Sequence, residues 1–456
     1  MHAIEQKKYL TFGNKMAYGS GDLANNIIFG LITSFLMIYL TDAVGLNAGI
    51  IGTLMMFSRF AGGVSDVVAG TIIDRTKHKW GKARPWVFWT IIPVVVCEVL
   101  MFSTPSMNTT LQYIYFFIIY TILNDVFFTL NNVAYSTLSV LITANKQERV
   151  QLGVVRFVFA LVAVSAISGG TMASVNAFGG GVVGWRMTAL IFSVIAAVFY
   201  YICALSIKEL PPSELGIHED VAPEKTGVFQ NLGKLLRNKY YVMQLFINIL
   251  FNGLMTMVGA VGVYYMKYVI GNAAMLGVFS IVQVVPMFLG LIFTPMLVKR
   301  WGIYKVNLIG FTLATIACIP FMIFGMKGMT TPMLISHGFV WLFRAPMLGT
   351  TSALTAEISG YTYRQTGKRL DGSMFSCMSM GAKVGAGIAT AMTGWLLALS
   401  KYDGKLDVQP QSSHSMITFM YVALPLIINV IMVAILMLQK VEKANETWDA
   451  HQITAK

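Results

Sequence analysis

The sequence holds 456 residues, 56% of them hydrophobic and only 12% charged, with a mean hydropathy of +0.67. So apolar a chain cannot be hidden around one aqueous core, which excludes a soluble enzyme and makes lipid the solvent. The formal charge of +13 does not imply nucleic acid as a partner, because the Lys and Arg residues sit in short segments between apolar runs, where they act as topology signals.

Open sheet edges and bare loops cannot sit in hydrocarbon, and the apolar runs reach about 20 residues, the length of a spanning helix. In chain order they predict helices near 16–40, 49–73, 85–103, 111–142, 151–175, 186–206, 239–267, 273–297, 306–326, 331–358, 372–399 and 414–438. The expected fold class is an all-α polytopic membrane protein, twelve transmembrane helices in two six-helix halves. The first fifteen residues contain Lys7, Lys8 and Lys15 but no apolar stretch ending in a small-residue cleavage site, and read as a tail.

Loop charge sets the orientation. The segment 74–84 carries five Lys or Arg, whereas 42–48 and 104–110 carry none. Lys146 and Arg149, then Lys299, Arg300 and Lys305, then Arg364, Lys368 and Arg369 keep the alternation. Both termini are therefore expected in the cytoplasm, with the chain in the cell membrane. A polar connection at 207–238, with Pro211, Pro212, Pro223, Glu214, Glu219, Asp220 and Glu224, separates a bundle at 1–206 from one at 239–438 and a tail at 439–456. Trp80-Gly81 after the second span and Trp301-Gly302 after the eighth echo each other. Two parallel repeats leave such an echo, and transporters built this way bind substrate near the midplane between the halves.

An ionisable side chain at the bilayer centre costs about 2.5–3.5 kcal/mol on insertion scales, so each one calls for a reason. Asp22, Asn25 and Asn26 form a polar stripe in the first span. Arg59 and Asp66 share a face of the second, either as a structural ion pair or with Asp66 as the carboxylate that carries the coupling cation. Asp125, Thr129 and Asn132 are expected on one side of the fourth, where polar glue between helices is the alternative. Arg156, Glu357 and Lys383 complete the set, while Glu98 and Arg344 read as structural. Cys97, Cys203, Cys318 and Cys377 are expected as free, buried thiols, with no metal-like pairing and no cofactor site.

Five motifs occur in order: KMAYGSGD at 15–22, YLTDAVGL at 39–46, Ser65-Asp66, KWGKARP at 79–85, and Tyr361 followed by TGKRLDG at 366–372. Together they resemble the glycoside-pentoside-hexuronide:cation symporter family, typified by melibiose permease, along nearly the whole chain. The resemblance implies a major facilitator fold and uptake of a sugar or glycoside driven by H+, Na+ or Li+. It places the cation site at Asp66, Ser65 and Thr129, with Gly62 standing where the family has a second carboxylate. One titratable carboxylate suffices for a proton, whereas a metal cation wants several oxygen ligands, so the balance favours H+ over Na+. It places the sugar site at Asn26, Asn132, Arg156, Ser379 and Lys383, to which the polar stripe adds Asn25. Asn26 and Asn132 replace family carboxylates and Ser136 a stacking Trp, leaving the cavity more positive, which suits a hexuronide while neutral glycosides stay open. Arg75, Lys82 and Arg369 are the candidate gating residues of the cytoplasmic loops. Two other readings remain: a carrier of a non-sugar solute, and an intramembrane enzyme or receptor, for which no catalytic constellation or soluble domain speaks.

Overall fold

The computed structural model describes residues 8–211, 214, 235–366, 371–406 and 408–454; the candidate Arg369 lies outside them. The helices are α1 (Phe12–Ala43), α2 (Ala48–Arg75), α3 (Arg84–Met101), α4 (109–141), α5 (Lys146–Ala177) and α6 (Gly181–Ser206). They continue as α7 (Lys239–Val269), α8 (275–301), α9 (303–326), α10 (Thr330–Thr366), α11 (Asp371–Leu399), α12 (411–438) and α13 (Val441–Thr454). The backbone of α8 runs into α9 across a kink at Gly302 (φ 80°, ψ 163°). Each of the twelve expected spans is matched by a helix, and all but α2 and α10 belong to stretches apolar enough to cross a membrane, α8 and α9 as one continuous stretch. α2 carries Arg59 and Asp66, and α10 carries Arg344 and Glu357. Uncovered stripes such as Val285, Leu289, Ile292 and Met296 on α8 are apolar at helical spacing, as a lipid-facing surface requires.

Packing divides the chain into two compact units: Met1–Pro223 with Ala273–Gly277 and Gly394–Gln409, and Glu224–Asn272 with Val278–Thr393 and Pro410–Lys456. The same local devices recur in both. Glu209, after α6, accepts hydrogen bonds from the backbone N–H groups of Lys82 (2.8 Å), Ala83 (2.9 Å) and Arg84 (2.6 Å), at the N-terminal end of α3. Glu442, after α12, accepts from Ile303 (2.9 Å) and Tyr304 (2.8 Å), the first turn of α9. Both carboxylates satisfy orphan donors at a helix N-terminus and match its positive dipole end. Both reach it because the residue after Trp is glycine. Gly81 has φ +110°, and a Cβ there would lie 2.2 Å from Glu209 Cδ. Arg84 reciprocates in the first unit, donating to the carbonyls of Ala204 (2.7 Å) and Leu205 (3.2 Å) at the end of α6. A second shared device ends α1 and α7. Each closes in a π-helical turn, Tyr39–Ala43 and Tyr265–Val269, on a fully buried Tyr and followed two residues later by a positive-φ glycine, Gly45 and Gly271.

One local expectation needs correction. Ile122–Phe128 is π-helical, so Thr129 Oγ1 donates to the carbonyl of Asn124, five residues back (2.8 Å). The extra residue rotates Asp125 relative to Asn132, while Thr129 stays buried as Asp125 is. Asp125 therefore turns into α2, where Ser58 Oγ donates to it (2.6 Å), while Asn132 is exposed. Arg59 bonds Tyr120 Oη (3.3 Å) on α4 rather than forming the alternative ion pair with Asp66. Cys97, Cys203 and Cys318 are free and buried; the side chain of Cys377 lies outside the described ones.

The segment before α1 is tied down by Glu148, which precedes the apolar stretch of α5. It accepts from Thr143 Oγ1 (2.6 Å), from the N–H groups of Leu10 (3.1 Å) and Tyr9 (3.2 Å), and faces Lys15 Nζ (3.7 Å). Burial raises the carboxyl, but these donors and the Lys15 charge outweigh it and hold Glu148 below its ordinary 4.5. A depressed carboxylate contributes stability above its unfolded pKa and loses it as the pH falls through the folded one. The expected outcome is that proteolytic cutting before α1 is resisted at neutral pH and rises only below the ordinary carboxylate range. Glu148→Gln should release the segment at all pH values, read by limited proteolysis. Glu209→Ala, which strips three backbone donors of their acceptor, should destabilise the purified protein by about 1–3 kcal/mol, with Glu209→Gln intermediate, read by thermal unfolding in detergent.

Candidate functional site

In the first unit the site is assembled where α1 comes unusually close to α4 and α5. Glycine makes this possible: a Cβ on Gly19 would lie 2.5 Å from Val155 Cγ1, and one on Gly21 2.5 Å from the Tyr135 ring. Small residues buy such backbone approach in membrane helices. Tyr18 and Tyr135 stack across the seam (4.7 Å, 18°), and each hydroxyl donates to the other residue's carbonyl, at 3.2 Å from Tyr18 and 2.8 Å from Tyr135.

Over this aromatic platform lies Arg156 of α5, 4.9 Å from the Tyr135 centroid and 6.0 Å from that of Tyr18. Its Nε (3.1 Å) and Nη2 (2.9 Å) both donate to Asp22 Oδ1. Asn26, one turn on from Asp22, donates from Nδ2 to the Asp22 carbonyl (2.8 Å) and to Oδ2 (3.2 Å). The pair is only partly covered, with side-chain exposures of 30% for Arg156 and 13% for Asp22. On α4, Asn132 and Ser136 flank Tyr135 and are exposed at i, i+4 spacing. Arg156 and Asn26 thus meet on the Asp22 carboxylate, a surface of alternating donors and acceptors over aromatic rings, while Asn132 is exposed on the helix that carries Tyr135.

Asn25 is not part of it. Its Oδ1 accepts from Tyr200 Oη (2.8 Å) on α6 and its Nδ2 donates to the Gly21 carbonyl (3.1 Å), burying the amide between helices. Adjacent residues on a helix point about 100° apart, so only one of Asn25 and Asn26 can face the Arg156 side. Asp22 is the member that sequence reasoning treated as part of a stripe without giving it a role. Its four-residue spacing from Asn26 was visible, but its partner on another helix was not.

On α2, Asp66 and Ser65 are half-buried, with Gly62 buried one turn before Asp66. Thr129 is buried on α4. Of the candidate gating residues, Arg75 is exposed at the end of α2, and Lys82 has its backbone N–H on Glu209 and its side chain exposed.

In the second unit Ser379 is exposed and Lys383 half-buried, one turn apart on α11. Beside them α7 supplies two amides that sequence reasoning passed over. Asn248 Nδ2 donates to the Met378 carbonyl (2.6 Å), and Asn252 Nδ2 donates to the Asn248 carbonyl and Oδ1 (both 2.9 Å). Their i, i+4 spacing in an apolar run was the available signal. Glycine again allows the approach, with Gly385 packed on the Ile249 carbonyl. Arg344, read as structural, is buried, donates to Asn429 Oδ1 (3.0 Å) and lies 5.4 Å from the Trp341 centroid.

Twelve long helices among the described residues, in an apolar body, are those of a multi-pass membrane protein, and the family its sequence matches makes it a transporter of the major facilitator fold, not an enzyme. Comparison with known proteins places it within that class. Residues 17–443 match the model of the MFS/sugar transport protein family, and the chain belongs to that family. It is 30% identical to the isoprimeverose transporter of Lactiplantibacillus pentosus over 430 residues, covering 93% of this chain and 88% of the relative. It is 28% identical to the putative glycoside/cation symporter YagG of Escherichia coli K12, covering 95% and 93%. Among solved structures it resembles a D-xylose-proton symporter at 14% identity with a TM-score of 0.63, covering 92% of this chain and 98% of that one. It also resembles a proton-dependent oligopeptide transporter (14%, TM-score 0.68, 95% and 99% covered). At these identities the structural likeness speaks for the fold alone.

Proposed function

We propose that this protein is a proton-driven symporter that brings a neutral sugar or glycoside into the cell by alternating access. Membership of the sugar-transport family and relatives named for isoprimeverose and for glycoside/cation symport support the substrate class. The observation that carries the reading is the Arg156–Asp22–Asn26 constellation over Tyr135. Amides, a guanidinium and a carboxylate offer the mixed donors and acceptors that sugar hydroxyls require, and aromatic rings offer an apolar face.

The ion pair also refines the substrate. An excess of positive charge would suit a hexuronide, but Asp22 already neutralises Arg156, and a substrate carboxylate would have to compete with it. A neutral glycoside only needs to accept from Arg156 and donate to Asp22. Coupling falls to Asp66, with Ser65 and Thr129 as its polar neighbours: protonated Asp66 favours the sugar-bound state, the halves rock, and both ligands leave inside. Each inward proton supplies about 2.3 kcal/mol per 100 mV. In this reading the basic loops and both termini face the cytoplasm, the bundles at 1–206 and 239–438 are the moving bodies joined by 207–238, and Ser379 and Lys383 provide the second half's share of the sugar site. Arg75, Lys82 and Arg369 hold the loops in the outward-open state.

Vesicle uptake under an imposed pH or Na+ gradient tests the coupling: uptake should follow the pH gradient, and dependence on Na+ alone would overturn it. Asp66→Asn should abolish uphill accumulation while sparing exchange. Asp22→Asn should leave Arg156 without its carboxylate and shift binding from neutral glycosides toward uronides by about tenfold, read by calorimetry with matched pairs of ligands.

A further inference from the structure

We infer that Asp125 is a second proton-carrying carboxylate of the transport cycle, set in the seam between α2 and α4. The inference rests on the proton-coupled reading above and adds a residue to it. Asp125 stands midway along α4, within the apolar stretch, and is only 8% exposed. A buried carboxyl at that depth is costly and marks function by default. Its presentation is specific. The π-helical turn Ile122–Phe128 rotates it out of line with Asn132 and into α2, and such turns are frequent at functional sites. There Thr121 Oγ1 donates to Ser58 Oγ (3.3 Å), and Ser58 Oγ donates to Asp125 Oδ2 (2.6 Å), a directed chain of hydroxyls ending on the carboxyl.

Position on α2 gives the arrangement its meaning. Ser58, Gly62 and Asp66 follow one another at four-residue spacing along one side of the helix, so Asp125 meets α2 one turn from the glycine and two turns, about 12 Å, from Asp66. Asp125 thus brings a second carboxyl from α4 to the side of α2 that carries Asp66. Two carboxyls that far apart cannot close on one metal cation, whose oxygen ligands must converge, but they can be loaded and unloaded in turn by a proton. The turn that carries Asp125 packs on α2, whose titratable groups are Arg59, Asp66, Asp74 and Arg75, and on α3, with Arg84, Cys97 and Glu98; α4 itself carries Tyr113, Tyr115, Tyr120 and Tyr135. Arg59 is turned to Tyr120, and Glu98 to Ser193 of α6 (3.3 Å).

The test compares uphill accumulation with exchange in proteoliposomes. Asn at 125 can still accept from Ser58 but cannot take up a proton, so a residue that serves only as glue would leave both modes intact in Asp125→Asn. The expected result is an accumulation ratio that falls to about 1, the value of a downhill carrier, with exchange preserved. Asp125→Glu should retain accumulation, and Ser58→Ala should displace the pH midpoint of uptake. On the unmodified protein, labelling by a hydrophobic carbodiimide, which reacts with protonated carboxyls in apolar surroundings, should modify Asp125 in a pH-dependent way seen by mass spectrometry. That labelling decides the matter if Asp125→Asn loses both transport modes. Undiminished accumulation in Asp125→Asn, or labelling absent or indifferent to pH, overturns the inference. If Asp66→Asn collapses accumulation and Asp125→Asn does not, this inference alone fails; if neither variant affects it, proton coupling itself is wrong.

Discussion

The ion pair between Asp22 and Arg156 is the contact on which the first unit's polar site depends. Neither charge is tolerable alone in an apolar body, and each is held by further partners: Asn26 on the second carboxylate oxygen, and the Tyr135 and Tyr18 rings under the guanidinium. Its geometry in turn depends on Gly19 and Gly21, which bring α1 close enough for one carboxylate oxygen to take two guanidinium donors. The pairing also decides how much charge the site offers. A polar surface with its internal charges already matched can exchange hydrogen bonds with hydroxyl groups, and that is the sense in which the packing of glycines on α1 reaches the neutral ligand proposed above.

A different use of carboxylates governs the helix ends. Glu209 and Glu442 each follow the last helix of a set of six and bind the opening turn of that set's third helix. Both sit against the glycine of a Trp-Gly pair, and both sets close their first helix with a π-turn on a buried tyrosine. Two separate coincidences of this kind in corresponding places are the physical content of the sequence echo at Trp80-Gly81 and Trp301-Gly302.

The spans were legible in the sequence because their signal is length and hydropathy, and these do not depend on neighbours. Arg156 and Asn26 were legible because a polar group in an apolar run is conspicuous. What could not be read is partnership between helices. Asn25 and Asn26 look equivalent in a string, yet Tyr200 on α6 occupies the first and Asp22 the second. The π-turn in α4 was invisible for the same reason: regular 3.6-residue spacing put Asp125 in line with Asn132, yet Asp125 is buried against α2 and Asn132 is exposed. Asn248 and Asn252 were overlooked although their spacing was as clear as that of Asp22 and Asn26, because no motif drew attention to them.

The Glu209 contact has a consequence for how the chain is made. The acceptor lies 126 residues after the Ala83 amide it serves. At a synthesis rate of about 5–20 residues per second, the start of α3 waits roughly 6–25 s for the residue that completes it. During that interval α3 must be held by its apolar length alone, and three further helices' worth of chain enters the bilayer before Glu209 arrives. The last residues to emerge from each set therefore act as its fastening, so that biogenesis proceeds in two instalments, each finished by a single glutamate.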